Sequence, residues 1–180
     1  MSQLKVNSIV PVGGLPSGAN GGIIQTVQTV KTSVFTTVST SFTDLTGMSV
    51  AITPSSNSNK VLIQIALNYG GDNNMYGGVN LLRGSTIVTQ GDDVSNNNTE
   101  CTFGIGGDND NFKYKLASAT YTFLDSPATT SATTYKLQLK ANSSSQRITV
   151  NAPEQGGYDT DTGTYIMRGT STITAFEVTA

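Results

Sequence analysis

The chain has 180 residues, a formal net charge of -2, and no histidine or tryptophan. Only 12% of its residues are charged, about half the usual share for a soluble domain. The missing histidine excludes Ser-His-Asp and Cys-His triads and every histidine-ligated metal. The scattered lysines and arginines form no cluster that could follow a phosphate backbone, so no nucleic-acid partner is expected.

Disorder combines low hydrophobicity with high net charge, and this chain has little net charge. Ser, Thr, Asn and 19 Gly replace the charges. Thr suits pleated, half-buried strands, and Asn, Gly and Ser suit turns. Many strands and many loops are expected. A surface kept soluble by hydroxyls and amides suits packing against protein or carbohydrate.

Residues 1–22 differ from the rest. Leu4, Val6, Ile9 and Val10 make one short apolar strand. The Gly- and Pro-rich run from Pro11 to Gly22 reads as an extended linker, because Pro fixes φ and Gly supplies positive φ. A strand this short has too little apolar surface to fold alone. It is expected to anchor on a partner. Met1 to Val10 has one lysine and no long apolar core, so no secretory leader is expected and synthesis in a cytoplasm is. No apolar run approaches the roughly 20 residues of a membrane helix, so no membrane partner is expected.

Residues 23–180 read as one β domain. Ile23 to Val38 is a long β-branched stretch, and Met48 to Thr53 follows. A turn cluster, Pro54 to Asn59, precedes the most apolar strand, Lys60 to Tyr69. There Val61, Ile63, Ile65, Leu67 and Tyr69 share one face, and Leu62 opposite them predicts burial on both faces near the start. Gly70-Gly71 and Gly77-Gly78 read as turn glycines between strands. Val79 to Leu82 and Thr86 to Val88 form a hairpin across Arg83-Gly84-Ser85.

Lys113 to Leu124 alternates, with Ala117, Ala119, Tyr121 and Phe123 on one side. Thr134 to Lys140 alternates without a break. Arg147 to Val150 and Thr170 to Thr179 complete the set. No stretch has helical periodicity. About ten strands at roughly 8–15 residue spacing predict an all-β, antiparallel sandwich or jelly roll.

Chemistry has few footholds. Cys101 is alone, so it forms no intramolecular disulfide, and it reads as a small part-buried strand residue. Asp92 with Asp93, Asp108 with Asp110, and Asp159 with Asp161 are close pairs in Gly- or Asn-rich loops. A glycosidase needs two carboxylates facing across a sugar, about 5–9.5 Å apart, and nothing in the pattern builds that cleft. Solvated turns explain the pairs, so no enzyme is expected. The oxygens of Gly107 to Asn111 and of Asp159 to Asp161 could serve calcium, but neither loop has the twelve-residue spacing that ends in a bidentate Glu. No cofactor is expected. The long polar loops also hold tyrosines, and Tyr with Asn and Asp can stack on and hydrogen-bond a ligand. Tyr76, Asp92, Asp108, Asp110, Tyr158 and Asp159 are the candidate receptor-facing residues.

Three segments carry a resemblance: Leu4 to Ile9 followed by Gly22-Ile23-Ile24-Gln25; Ser41 to Val50 with Ile52-Thr53-Pro54; and Phe123 to Thr130 ahead of the Tyr135 strand. Together they are similar to fibre and head-fibre virion proteins of marine phages and cyanophages. The resemblance implies a homotrimer with jelly-roll heads of the tumour-necrosis-factor-like kind, exposed on the virion surface and made in the bacterial host. It implies other virion proteins as partners through residues 1–22, and a host-surface glycan or protein as receptor. The competing reading is a carbohydrate-binding module that is not part of a virion.

Overall fold

The computed structural model describes residues 22–92, 98–107, 112–154 and 167–180. The expected anchor side chains, Leu4, Val6, Ile9 and Val10, lie outside the described residues, and of the linker only Gly22 is within them. The described residues hold eleven strands and one short 3-10 turn, Phe112–Tyr114, and the first of these strands opens at Ile23.

The first strands in chain order are β1 (Ile23–Lys31), β2 (Phe35–Thr37), β3 (Thr43–Ile52), β4 (Lys60–Gly71), β5 (Met75–Arg83) and β6 (Thr86–Thr89). Then come β7 (Phe103–Gly107), β8 (Ala117–Asp125), β9 (Thr133–Ala141), β10 (Ile148–Val150) and β11 (Ser171–Val178). They form two sheets whose strand pairs are all antiparallel.

Short strands pair up end to end. At Tyr69, β4 is paired with both Ala117 of β8 and Val150 of β10, so those strands lie on opposite sides of it. Consequently β10 continues the path of β11, and β2 continues the path of β1. By the same reasoning β6 and β7 share one side of β5, because β9 occupies the other. Eight paths result. Sheet A runs β1/β2, β10/β11, β4, β8, and sheet B runs β3, β9, β5, β6/β7. Numbered along the chain, these are 1-8-3-6 and 2-7-4-5, the strand order of a jelly roll.

The core lies between the sheets. Val61, Ile63, Ile65 and Leu67 of β4 are fully buried, as are Val79, Leu81, Tyr135, Leu137 and Leu139 of sheet B. Each fully buried aliphatic side chain contributes about 1.5–3 kcal/mol relative to exposure. The alternation expected for β4, β8 and β9 is what places these residues inward. At one end Asp125 of sheet A reaches Arg83 (2.7 Å) and the Tyr135 hydroxyl (2.6 Å) of sheet B. Burial and then the Asp125 carboxylate push the Tyr135 phenol well above its ordinary value. Nearby, Glu177 of β11 accepts hydrogen bonds from the Ser55 backbone and hydroxyl and from Asn59. Its burial raises the carboxyl's pKa, but those hydrogen bonds outweigh burial and hold it below the ordinary value.

Several expectations need correction. The stretch Ile23–Val38 is two strands, because the path beside it also changes from β11 to β10. There the Asn151 side chain donates to the carbonyls of Lys31 (2.8 Å) and Ser33 (3.1 Å). The strand expected from Met48 begins at Thr43, across a bulge between Asp44 and Ser49 where Gly47 has φ 84°. Lys113 opens no strand: Phe112 is buried in the 3-10 turn and β8 starts at Ala117. β4 is central but not buried on both faces near its start, since Leu62 is half-buried and Gln64 exposed. β7 was not foreseen.

Gly70, Gly71, Gly77 and Gly78 are not turn glycines either. They lie inside β4 and β5. A Cβ on Gly70 would meet the Ala152 carbonyl oxygen at 2.6 Å and Pro153 Cα at 2.8 Å. One on Gly77 would meet Ile148 Cδ1 at 2.3 Å and the Lys140 carbonyl oxygen at 2.6 Å. These glycines allow close approach of backbone, one of the uses of Gly inside a strand. Gly104 of β7 is different, with its nearest atom, Gly77 O, at 3.9 Å from a Cβ. Gly77→Ala is therefore predicted to cost about 1–3 kcal/mol by overpacking, while Gly104→Ala leaves stability within about 0.5 kcal/mol of the parent. Urea unfolding midpoints of the two variants check the difference, and equal midpoints contradict it.

Candidate functional site

The two outer faces of the sandwich differ in chemistry. On sheet A the ladder sets Thr26, Phe176, Leu62 and Leu124 side by side across four strands. The next row is Gln28, Thr174, Gln64 and Thr122, and the next is Val30, Thr172, Ala66 and Thr120. None of these residues can carry a charge. Val30 is 51% exposed and Leu124 46% exposed, and Ile24 extends the same face at its edge. Gln28 Nε2 donates to Thr174 Oγ1 at 2.9 Å, so even the polar row is partly satisfied within itself. The sequence conceals this face, because its residues come from four distant segments and look like ordinary alternation.

Sheet B carries charge outward. Lys136 Nζ binds Asp44 Oδ2 at 2.7 Å, and Gln138 Nε2 donates to Asp44 Oδ1 at 2.9 Å. Hydrogen bonds from Lys136 and then Gln138 hold the Asp44 carboxyl below its usual value. Next along β9, Lys140 stands at the rim of an open cleft of ≈ 320 Å³.

That cleft is built on glycine. Gly77, Gly78 and Gly104 form its floor, Tyr76 and Asn142 one end, and Thr99, Cys101 and Lys140 the other. The floor is assembled where β5 and β7 pair through Gly77↔Ile105 and Gly78↔Gly104. Cys101 and Phe42 lie against Gly78, where a Cβ would meet Cys101 Cβ at 3.1 Å and Phe42 Cζ at 3.3 Å. The Tyr76 ring lies along Gly106, whose Cβ position is 3.0 Å from Tyr76 Cδ1, yet the residue is 48% exposed. Asn142 N donates to the Tyr76 carbonyl at 2.9 Å, which ties β5 to the turn after β9. Lys140 Nζ donates to Thr99 Oγ1 at 2.8 Å and lies 5.9 Å from the Phe42 ring centroid.

Of the candidate receptor-facing residues, only Tyr76 and Asp92 are described. Tyr76 is not in a loop, as the sequence reading had it, but points outward from β5; the Gly-rich stretch around it is strand because its glycines admit close neighbours. Tyr69, on the apolar face of the Lys60 to Tyr69 strand, is buried in β4. Asp92 is exposed beyond β6 and lines no part of the cleft. Asp108, Asp110, Tyr158 and Asp159 lie outside the described residues, as do Asp93 and Asp161. Cys101 is part-buried as expected, but it precedes β7 rather than lying in a strand. Lys140, Thr99 and Asn142 were not singled out from the sequence.

One carboxyl pair does meet, and it was not among the expected ones. Glu154 hydrogen-bonds Asp72, and burial first, then that contact, raise Glu154 above its ordinary value, while Lys113 and Arg147 pull it back. The two residues are far apart in sequence, so no spacing rule could pair them. Among the described residues no group of three or more acidic or Cys side chains is placed to hold a metal ion, and no helix is long and apolar enough to cross a membrane.

No protein-family model and no curated protein matches the chain. Among solved structures it is similar to a chain in "Structure of infectious bursal disease virus Gx strain", with a TM-score of 0.39 and 14% identity. The match covers 88% of this chain and 39% of that one, so the chain spans well under half of its neighbour's length. A likeness this distant has no bearing on function.

Proposed function

We propose that the chain is a structural protein of a bacteriophage virion: a trimeric surface fibre, spike or capsid decoration that displays a β head for attachment to a host surface. The observation that carries this reading is the run of three uncharged rows on the outer face of sheet A, with Lys60 in the row beyond Leu62. A monomer presenting these aligned uncharged rows, with Val30 and Leu124 about half exposed, leaves a face suited to protein contact. A second copy fits it well. Amides, hydroxyls and aliphatic groups meet their like without setting a charge against a charge, and most soluble oligomers are built from identical subunits. The charged outer face of sheet B is then left to solvent and to the receptor.

The resemblance of residues 4–9, 41–54 and 123–135 to phage fibre and head-fibre proteins supports the same reading. Residues 1–22 are assigned as the anchor. Leu4, Val6, Ile9 and Val10 could contribute on the order of 6–10 kcal/mol gross at about 1.5–3 kcal/mol each. Ordering a free peptide costs about 1–2 kcal/mol per residue and offsets most of that gain in one copy. Three copies on one trimer bind with avidity, because the later attachments are intramolecular. No catalytic role is assigned to the protein.

A carbohydrate-binding module outside a virion is the second reading, favoured by the exposed Tyr76 ring over its glycine floor. That reading needs neither an anchor nor a trimer.

Sedimentation at micromolar concentration is predicted to give about three times 18.8 kDa. Gln64→Glu with Leu124→Glu, both on exposed positions of the sheet A face, is predicted to yield a folded monomer by circular dichroism. A parent monomer, or a double variant that stays trimeric, overturns the assembly. A chain beginning at Gly22 is predicted to remain trimeric yet fail to join particles lacking the native protein. Decoration at the parent's occupancy would move the anchor into the β domain.

A further inference from the structure

We propose that the cleft between Tyr76 and Lys140 is a subsite for an acidic sugar, a ring bearing a carboxylate or sulfate. The inference rests on the reading of sheet B as the receptor-facing side and names what that side takes.

Three features of the cleft point to this class of ligand. Its floor is largely backbone: Gly77, Gly78 and Gly104 line it, Cys101 and Phe42 lie against Gly78, and the nearest atom to a Cβ on Gly104 would be 3.9 Å away. The missing side chain at Gly104 lets a sugar ring approach backbone closely. Tyr76 stands at one end, half exposed, with its ring braced along Gly106. A braced aromatic offers apolar contact at little entropic cost, because its rotamer is already held, and its hydroxyl serves as a polar handle. Asn142 beside it adds an amide that can both donate and accept, which suits vicinal hydroxyls.

The third feature selects charge. The Lys140 ammonium is held at the rim by a Thr99 hydroxyl and lies near the Phe42 ring, both neutral partners. Neither of the ion pairs Arg83–Asp125 and Lys136–Asp44 involves Lys140, and among the described residues no carboxylate is seen within ion-pairing distance of it. Glu100, close to Thr99 in sequence, is hydrogen-bonded by Gln90 Nε2. Among the described residues, the cleft therefore presents one positive charge without a carboxylate partner, opposite an aromatic ring. A neutral sugar would use the ring and leave the charge idle, and a small inorganic anion would use the charge and leave the ring idle. An acidic sugar uses both. The volume of ≈ 320 Å³ is at the low end of ligand pockets, about 300–1,000 Å³, and suits a terminal residue more than a long chain. One such contact is weak, on the order of millimolar, or about -4 kcal/mol. Copies on one oligomer would compensate through avidity.

The test uses the full chain, labelled with nitrogen-15, and four probes: glucuronic acid, glucose, sodium acetate and sodium sulfate. Glucuronic acid is expected to shift the amide signals of Gly77, Gly78 and Gly104 in a saturable way. Tyr76→Ala is expected to weaken it at least tenfold. Lys140→Gln is expected to weaken glucuronic acid several-fold and to leave glucose unchanged. Glucose binding as tightly as glucuronic acid overturns the role of Lys140. Acetate or sulfate alone producing the same shifts at the same concentration makes this an anion site and overturns the sugar assignment. Absence of any saturable shift overturns the subsite. Sedimentation of the same samples reads the assembly separately: a trimer that binds no sugar overturns the cleft alone, and a monomer that binds it overturns the assembly alone.

Discussion

The register of β4 is the constraint on which the rest depends. Side chains alternate with a period of two, so a slip of one residue would exchange the buried and outer sets of the whole strand. Val61, Ile63, Ile65 and Leu67 are all fully buried, and putting Leu62, Gln64 and Ala66 in their place would set an amide in the core. That fixes β4. Because β11 and β8 pair along its two sides, their own outer residues are then forced into line with it, Phe176 and Leu124 beside Leu62, and Thr174 and Thr122 beside Gln64. The core selects the register, and the register composes the outer face.

The low charge of the chain acquires a physical meaning from this arrangement. Charges are spaced unevenly over the two faces. Sheet A shows none across three full rows of its ladder, while sheet B holds Lys136, Asp44 and Lys140. Two of the buried charged residues, Asp125 and Glu177, are each given hydrogen-bond partners and tie one end of the sandwich together. A sandwich with one bare face and one dressed face has a built-in orientation: the bare face suits protein, the dressed face suits water and ligand. A proposed trimer and a proposed receptor cleft follow from the same asymmetry, one from each side.

Much of the sandwich was legible in the sequence, for reasons particular to certain strands. β9 declares itself because apolar and polar residues alternate along it, and β4 because Val61, Ile63, Ile65, Leu67 and Tyr69 make one face continuously apolar. β11 and β1 are rich in β-branched residues. β7 was hidden: Phe-Gly-Ile-Gly-Gly has three glycines in five positions and reads as a loop. Its glycines are there because the Tyr76 ring lies along Gly106 and the Phe112 ring packs against Gly107. The start of β5 was hidden in the same way, and with it the true setting of Tyr76. A glycine that admits a neighbour looks the same in one sequence as a glycine that turns the chain. The cleft was illegible for a related cause. Its members come from β5, β7, β9 and the segment before β7, and only the pairing of β5 with β7 and β9 brings them together. The Asp72–Glu154 contact is likewise a product of topology and has no signature in local spacing.

Footprinting by a carbene probe, read residue by residue on the intact protein, compares the two faces in one experiment. If the bare face of sheet A is covered by other copies of the chain, Val30 and Leu124 are labelled far less than their exposure in the single chain would give, and Tyr76 is labelled freely. Val30 regains label in Gln64→Glu with Leu124→Glu. Equal and full labelling of Val30, Leu124 and Tyr76 in the parent protein would contradict the account, since the face on which assembly rests would then be open to water.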